Sequence, residues 1–245
     1  MKMRRSSNEA GFSLLELIIA MGITITILGL SSTLLASGFR SRSREDRKSD
    51  AIADVQRAMN IMTREIGNSG FKIPDGLGQV ASNGIVTNDS DNTSLRLVSN
   101  LNGMPESANN YAEDTDVEDS DEDLKFLMYV DADLGQRYIV RYERNGSNQT
   151  TVLANRIDSL IFRYYDEKVT YDTTVDETTG TCDITNVKDA LGNDKTEVSP
   201  ANAKFIVIAV GVTLPAVGIP NTDGYQPPSR VQLTSNVVLR NSIIY

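Results

Sequence analysis

The sequence lacks several residue types on which common enzyme and metal sites depend. Its 245 residues include no histidine and no tryptophan, and Cys182 is the only cysteine. A lone cysteine cannot form an intrachain disulfide, and zinc sites built from histidine and cysteine have no ligands to use. A histidine-based catalytic triad is excluded as well. Ser-Lys and carboxylate chemistry stay open, but no motif marks a candidate pair, so we expect a protein that is not an enzyme and has no cofactor, apart from the calcium alternative considered below.

Basic residues are also in the minority. The chain has 24 Lys and Arg against 33 Asp and Glu, a net charge of −9, which argues against a nucleic-acid-binding protein that works through a basic patch. The charges are unevenly distributed along the chain. Three cations lie within residues 1–11 and five within residues 40–48, whereas residues 113–123 contain eight acidic side chains.

A twenty-residue stretch without charge, LIIAMGITITILGLSSTLLA, occupies residues 17–36. A helix of about this length crosses a bilayer core of roughly 30 Å. The stretch contains small and hydroxyl residues, which let helices approach closely and bond across helices or back to their own backbone. A cleaved secretory signal has a shorter apolar run and no arginine-rich segment directly after it. We therefore predict a membrane-spanning helix, over about residues 14–38, that packs among other helices.

The helical pattern continues beyond the apolar stretch. Five apolar residues follow at spacings of 3, 4, 3 and 4, as on one face of an amphipathic helix: Ile52, Val55, Met59, Met62 and Ile66. Proline does not occur before Pro74, and Gly67 stands where a helix C-cap is expected. The pattern predicts one helix over residues 12–66, about 80 Å long at 1.5 Å per residue, whose first half suits lipid and whose second half suits a protein core.

Residues 67–245 alternate β-branched and aromatic segments with turn residues, which predicts a β-rich globular domain. We predict long polar surface loops at residues 103–123 and 166–203, with Cys182 in the second, a hairpin connection at DADLGQ, and core positions for Tyr164 and Tyr165. The fold class is α+β, a long N-terminal helix packed on an antiparallel β-sheet. Strands are predicted near Ser94–Leu101, Leu124–Val130, Gln136–Glu143, Arg156–Tyr165, Lys204–Leu214 and Arg230–Arg240.

One carboxylate, Glu16, interrupts the apolar stretch GFSLLELIIAM of residues 11–21. An unpaired charge in hydrocarbon is costly, and such residues usually mark function. The order of a short basic leader, Gly11, Phe12, Glu16 as the fifth residue from Phe12, and then an apolar helix resembles the type IV pilin signature. The resemblance implies a leader peptide of residues 1–11, cleavage by prepilin peptidase between Gly11 and Phe12, and N-methylation of Phe12. Glu16 would then form an intersubunit salt bridge with the freed α-amino group of a neighbouring subunit.

Three later segments resemble one subfamily of the type IV pilins. The segments AMNIMTREIGNSGF (58–71), VLANRIDSLIFRYYD (152–166) and RVQLTSNVVLRN (230–241) are similar to PilW-like minor pilins. The kink-forming proline usual in the helix of major pilins is absent. The resemblance implies a minor pilin at the pilus tip that helps start assembly, with other pilins, the peptidase and the inner-membrane assembly platform as partners. Two alternatives stay open: a J-like minor pseudopilin of type II secretion, and a single-span membrane protein with an extracytoplasmic binding domain.

The orientation in the membrane is a point of conflict. Counting cations in short flanks places the more basic flank in the cytoplasm, which here would be residues 40–48. The pilin resemblance implies the opposite: the protein lies in the inner membrane with its C-terminal domain extracytoplasmic, and later in the pilus at the cell surface. We follow the resemblance because Glu45 and Asp46 dilute the second basic flank.

The acidic run EDTDVEDSDED of residues 113–123 suggests calcium, which takes several oxygen ligands. Counted from Asp114 as an EF-hand loop, the run has Asp119 where the sixth position requires glycine. A solvated acidic loop is the simpler interpretation. If calcium binds, the ligands expected are Asp114, Asp116, Glu118 and Asp121.

Overall fold

One long helix followed by a series of antiparallel strands makes up the computed structural model of the protein, which describes residues 13–74, 76–101, 116–145, 149–176, 178–214, 216–222 and 225–242. The helix, α1, covers Leu14–Asn68. The strands within the described ranges are β1 (Ser94–Val98), β2 (Asp123–Val130), β3 (Arg137–Glu143), β4 (Thr150–Asn155), β5 (Ser159–Tyr165), β6 (Thr170–Val175), β7 (Cys182–Lys188), β8 (Phe205–Leu214) and β9 (Ser229–Val238).

The strands form three sheets with orders β1-β2-β3-β4, β5-β8-β9 and β6-β7. Neighbouring strands in each sheet run antiparallel. The predicted α+β class is therefore confirmed. The predicted hairpin at DADLGQ is also present: Val130 pairs with Arg137, and the N–H of Asp131 donates to the carbonyl of Gln136 at 2.8 Å.

Helix α1 contributes to two compact units. The first contains the helix as far as Asp46 together with Val217–Gln226, and the second contains Arg47–Ala216 and the residues from Pro227 onward. In the first unit, every α1 side chain before Arg44 is exposed. The hydroxyls of Thr24, Thr26 and Thr33 donate to carbonyls of their own helix at 2.8 Å. Hydroxyls in a membrane helix can bond either to a neighbouring helix or to their own backbone, and these three bond to their own backbone.

The core of the second unit is built around the apolar stripe of α1. Val55, Met59, Met62 and Ile66 are 0–5% exposed, as the helical spacing predicts, whereas Ile52 is only partly buried. These side chains belong to one cluster with residues of both larger sheets. Tyr164 and Tyr165 are buried too, which confirms their predicted core positions.

Strand β8 is buried on both faces because sheet β5-β8-β9 lies between two apolar clusters. Ile206, Ile208 and Val210 join the main core around α1, while Phe205 and Val207 pack with residues of the β6-β7 hairpin. A strand that is covered on both faces has a continuous apolar sequence and not an alternation of apolar and polar residues. This accounts for FIVIAVGVTL, the most hydrophobic segment outside the N-terminal helix.

The prediction of a long surface loop at residues 166–203 is wrong. It contains the β6-β7 hairpin and a 3₁₀ turn at Pro200–Asn202, and the hairpin covers the outer face of the β5-β8-β9 sheet. Strand β4 was not predicted either. Both hairpin strands are rich in Thr, Asp and Asn, and most of their side chains are exposed or only partly buried. Their pairing depends on the buried sheet beneath them, which local sequence does not reveal.

Cys182 lies in β7 and not in a polar loop. It is 1% exposed and packs with Ile161 and Ala209, and its backbone N–H donates to the Ser159 hydroxyl at 2.9 Å. Gly211 completes the site, because a Cβ built on it would lie 2.7 Å from the Cys182 sulfur. Burial raises the pKa of the Cys182 thiol, which makes the reactive thiolate scarcer.

Hydrogen bonds and close backbone contacts with the turn around Asn83 and Gly84 fix the C-terminal end of α1 in the second unit. The Ser69 hydroxyl donates to the carbonyl of Asn83 at 2.7 Å, and the Asn83 amide donates to the carbonyl of Ala203 at 2.9 Å. Gly84 has a φ of 81°, and a Cβ on it would lie 2.0 Å from the nitrogen of Gly70. The predicted C-cap is displaced: α1 ends at Asn68, after Gly67, and the left-handed glycine is Gly70.

A partly buried ion cluster also joins α1 to β3. The Nε of Arg141 lies 3.1 Å from a carboxylate oxygen of Glu65 on α1, and both side chains are 13% exposed. The same guanidinium pairs with Asp121 and lies 3.6 Å from a Glu143 oxygen. Burial raises the pKa of Glu65 above its ordinary value even though Arg141 opposes the shift. Arg141 is thus the cation shared by three carboxylates.

We predict that Arg141→Met destabilises the protein by about 3 kcal/mol at neutral pH, because it leaves Glu65 buried without its cation. Glu65→Gln should cost less than about 1 kcal/mol, since Arg141 keeps two other partners. The Arg141→Met change should also cost less in the Glu65→Gln background than in the wild type, as measured by denaturant unfolding of all four proteins. Equal costs in the two backgrounds would contradict the coupling.

Because the pKa of Glu65 is raised, the stability lost in Arg141→Met should depend on pH in a direction that can be predicted. A carboxyl whose pKa is higher in the folded protein than in the unfolded chain stabilises at low pH, and this contribution is lost as the pH rises through the folded pKa. The Arg141→Met penalty should therefore grow between acidic and neutral pH, when Glu65 ionises without its cation. The growth should be smaller in the Glu65→Gln background, where only Asp121 and Glu143 lose the cation.

We also predict that the Cys182 thiol is protected from aqueous reagents. In the folded protein it should react with a thiol-modifying disulfide far more slowly than in denaturant, because it is buried and protonated. A Ser43→Cys protein with Cys182→Ala, which places an exposed thiol on α1, is the control and should react at once. Rapid modification of native Cys182 would contradict its placement in β7.

Candidate functional site

The predicted cleavage and methylation positions, Gly11 and Phe12, lie outside the described residues, and so does Asp114 of the calcium hypothesis. The remaining predicted positions fall in two places. Glu16 lies in the first turn of α1. Asp116, Glu118 and Asp121 lie in the segment before β2.

Glu16 is held by a helix that begins just before it. The N–H of Leu17 donates to the carbonyl of Ser13 at 3.1 Å, and α1 begins at Leu14. A carboxylate in the first turn is favoured by the helix dipole. Within the part of the chain that the structure describes, Glu16 has no ion pair or hydrogen-bonded cation. Its charge is therefore available to a cation from outside these residues.

The surface beside Glu16 is shallowly concave. Glu16, Ala20 and Thr24 follow one another at intervals of four residues and line this depression together with Leu17 and Met21. Residues four apart lie on the same helix face. The small Ala20 leaves room in the middle, and the Thr24 hydroxyl is already bonded to the carbonyl of Ala20 at 2.8 Å. The face thus presents one carboxylate above a surface on which another helix can pack closely.

The rest of this helical segment is apolar and exposed. The large side chains from Leu14 to Phe39 are each more than half exposed. The helix is long and apolar enough to cross a membrane, and none of its most apolar window is buried in the protein. An exposed apolar surface of this extent marks a membrane or protein contact, so a membrane anchor is compatible with the segment.

The acidic segment before β2 uses its carboxylates to hold its own backbone. An Asp116 oxygen accepts the N–H of Glu118 at 3.0 Å, and Asp121 is paired with Arg141. Glu122 is fully buried, and its two oxygens accept the N–H groups of Leu101 and Asp119 at 2.9 and 3.2 Å. Among the described residues, no three acidic or cysteine side chains are placed together to hold a metal ion.

Two of these carboxylates were not singled out from the sequence. Glu122 and Glu143 are buried structural acceptors, but the surrounding acidic run conceals Glu122, and Glu143 stands alone at the end of a strand. Each has one near partner, Asp119 for Glu122 and Arg141 for Glu143, and one distant partner, Leu101 for Glu122 and Asp121 for Glu143. The distant partners leave no local pattern in the sequence.

The largest charged cluster outside α1 is also structural. Asp89 lies 2.9 Å from the Lys125 nitrogen and 3.0 Å from Arg96, and Arg96 makes a second pair with Asp123 at 2.6 Å. The hydrogen bond from Lys125 lowers the pKa of Asp89. A carboxylate kept ionised by two cations is a poor general base. The cluster joins the turn at Thr87–Asp89 to β1 and β2.

Comparison of the chain with protein-family models, with curated proteins and with solved structures gave no match. The function is therefore argued from the sequence motif and from the geometry of α1.

Proposed function

We propose that the protein is a PilW-like minor pilin of a type IV pilus. It is inserted in the inner membrane by the first part of α1, processed between Gly11 and Phe12, and incorporated with other minor pilins at the pilus tip, where it helps start assembly. The role is structural and not enzymatic. The observation that carries the proposal is Glu16: it is the one charge among residues 13–39, it faces outward, and its cation has to come from outside the described chain.

The chemistry of Glu16 favours a partner on a neighbouring subunit. Dipole stabilisation alone is too weak to offset the burial of a carboxylate in hydrocarbon. The α-amino group of Phe12 of a neighbouring subunit, once released by cleavage, would supply such a cation. In side-by-side subunits the ion pair forms only at one axial offset, and any other offset leaves a charge unpaired at high cost. Glu16 would therefore set the register of helices during assembly.

The surface around Glu16 supports close helix packing. Ala20 and Thr24 continue the face of Glu16 for two turns. Gly22 and Gly29, six and thirteen residues from Glu16, lie on another face of the helix, where no other group lies within 4 Å of the place a Cβ would take. Small residues at such positions let two helices approach closely in a membrane. The carboxylate thus stands at the end of a strip where a neighbouring helix can fit.

The second part of α1 supports the same proposal. Its stripe from Val55 to Ile66 is built into the main core of the β-rich unit. Arg141 pairs with Glu65 of the helix, and Ser69, directly after the helix, donates to the carbonyl of Asn83. A globular unit that contains the helix in its own core cannot separate from it without unfolding. Such a subunit carries its β-rich part into any assembly that the first part of α1 joins.

The first test is the mature N-terminus. We predict that mass spectrometry of the protein from cells with a prepilin peptidase shows a chain that begins with methylated Phe12, because cleavage creates the cation that Glu16 requires. A Gly11→Val variant should keep residues 1–11 and serve as the control. A wild-type protein that keeps Met1 would disprove the pilin interpretation.

The second test concerns Glu16 itself. We predict that Glu16→Ala leaves cleavage at Gly11 largely intact but strongly reduces the amount of the protein in purified pili, because the ion pair that sets the register is lost. Glu45→Ala, which removes an exposed carboxylate of the same helix beyond the apolar part, should assemble normally. Both amounts are measured by immunoblot of sheared fibres and of membranes.

Normal incorporation of Glu16→Ala would refute the proposed pairing. Recovery of the wild-type protein with the rod of a type II secretion system, and not with pili, would favour the pseudopilin alternative over the minor pilin while leaving the role of Glu16 unchanged.

A further inference from the structure

The connection between β8 and β9 forms a closed loop of its own, here called the β8–β9 loop, residues 217–226. Val217 and Gln226 exchange two backbone hydrogen bonds of 3.0 and 2.9 Å across its base. Within the loop, the Thr222 hydroxyl donates to the carbonyl of Ile219 at 2.7 Å, and the N–H of Tyr225 donates to the carbonyl of Thr222 at 3.0 Å. These bonds hold residues 217–222 together with Tyr225 and Gln226.

The loop exposes an apolar side chain. Ile219 is 70% exposed, and the neighbouring Pro220 is exposed as well. In the sequence of the loop, Asp223 is the only charged residue. A single exposed isoleucine is common on protein surfaces and has no significance alone. Its significance here comes from the part of α1 that the loop contacts.

The loop is bonded to α1 just beyond the apolar surface. The Nη1 of Arg44 donates to the side-chain oxygen of Gln226 at 3.0 Å, and both residues belong to the first compact unit. Arg44 follows Phe39, the last large residue of the exposed apolar segment, by five positions, or about 8 Å along the helix. The headgroup region extends roughly 5–8 Å beyond the hydrocarbon core on each side. If the apolar part of α1 crosses a bilayer, the base of the loop lies at the level of the headgroups.

The charge at this level matches a phospholipid surface. Arg40 and Arg42 are exposed on α1, and neither has an ion pair among the described residues. Arginine binds phosphate oxygens well because its planar guanidinium offers several donors. Clusters of cations directly after a membrane span attract anionic lipids. The first compact unit, which contains these arginines and the exposed Ile219, thus combines the two features of interfacial membrane contacts.

We propose that the β8–β9 loop is a second membrane contact of this protein, in which Ile219 inserts among the headgroups of an anionic bilayer while Arg40 and Arg42 bind lipid phosphates. The inference rests on one part of the proposed function, namely that α1 spans the membrane. It does not depend on the orientation, since it requires only anionic lipid on the side of Arg44. Two contacts restrain the rotation of α1 about its axis, which a single helix in a bilayer leaves free.

The absence of tryptophan makes the contact measurable. In the full-length protein reconstituted in vesicles, a single introduced tryptophan reports lipid contact through quenching by lipids with brominated acyl chains. Ile219→Trp is the test variant. Leu191→Trp is the matched control, because Leu191 is an 87% exposed apolar side chain in a different loop. Ile27→Trp, in the middle of the apolar part of α1, reports whether the helix is inserted.

In vesicles that contain phosphatidylglycerol, Ile27→Trp should be quenched most strongly. Ile219→Trp should be quenched at least about twofold more than Leu191→Trp, with emission shifted to the blue, because its side chain enters the interface. Substituting Arg40 and Arg42 by Gln in the Ile219→Trp protein should reduce this quenching. High salt should reduce it as well, because salt screens the attraction between exposed charges and phosphates.

The controls separate failure of this inference from failure of the proposed function. Quenched Ile27→Trp with Ile219→Trp at the level of Leu191→Trp would overturn the loop contact and leave the span intact. Unquenched Ile27→Trp would overturn the span and with it the proposed function. Blue-shifted Ile219→Trp without quenching by lipid would assign the loop to a second copy of the chain. Loss of quenching on adding inorganic phosphate, but not sodium chloride of equal ionic strength, would assign the arginines to free phosphate and overturn the lipid contact.

Discussion

The structure depends on the continuity of α1. A helix that enters hydrocarbon has to satisfy its backbone polar groups internally, and a helix that enters a protein core has to present an apolar stripe to its neighbours. One helix meets both requirements over Leu14–Asn68 because no proline interrupts it. Apart from Glu16 its surface is uncharged up to Phe39, strongly charged over residues 40–50, and amphipathic after that. The β-rich unit packs around the amphipathic part, so its main core includes α1 as a structural element.

Two glutamates on this helix illustrate how partners decide the role of a charge. Glu65 is buried, and the chain supplies its cation, Arg141, from β3. Glu16 is exposed, and the described chain supplies it with no cation. Glu65 therefore contributes to the fold, because the cation that offsets its desolvation lies in the same molecule. The cost of Glu16 depends on what surrounds the helix, which is the property expected of a residue that responds to assembly.

The parts of the fold that could be predicted are those with strong local patterns. Helix α1, the burial of Met59 and Met62, and the hydrophobic strand β8 follow from periodicity and composition. Strands β6 and β7 and the burial of Cys182 could not be predicted, because their sequences are polar and their apolar contacts are with a sheet that is distant along the chain. For the candidate site, the sequence identified Glu16 from its apolar surroundings. Of the partners of Arg141, Glu143 lies two residues further along the same strand, but Glu65 and Asp121 could not be found, since they are 76 and 20 residues away along the chain.

The hydrogen bonds of the threonine hydroxyls of α1 bear on the role proposed for Glu16. Serine and threonine in a membrane helix can bond to neighbouring helices and so contribute to the choice of partner. Thr24, Thr26 and Thr33 instead donate to carbonyls of their own helix, which leaves them able to contribute volume but not new donors. Packing of small residues tolerates several axial offsets, because it depends on shape that repeats along the helix. A single carboxylate does not repeat. In a helix whose threonines are already satisfied, we propose Glu16 as the group that distinguishes one axial offset from another.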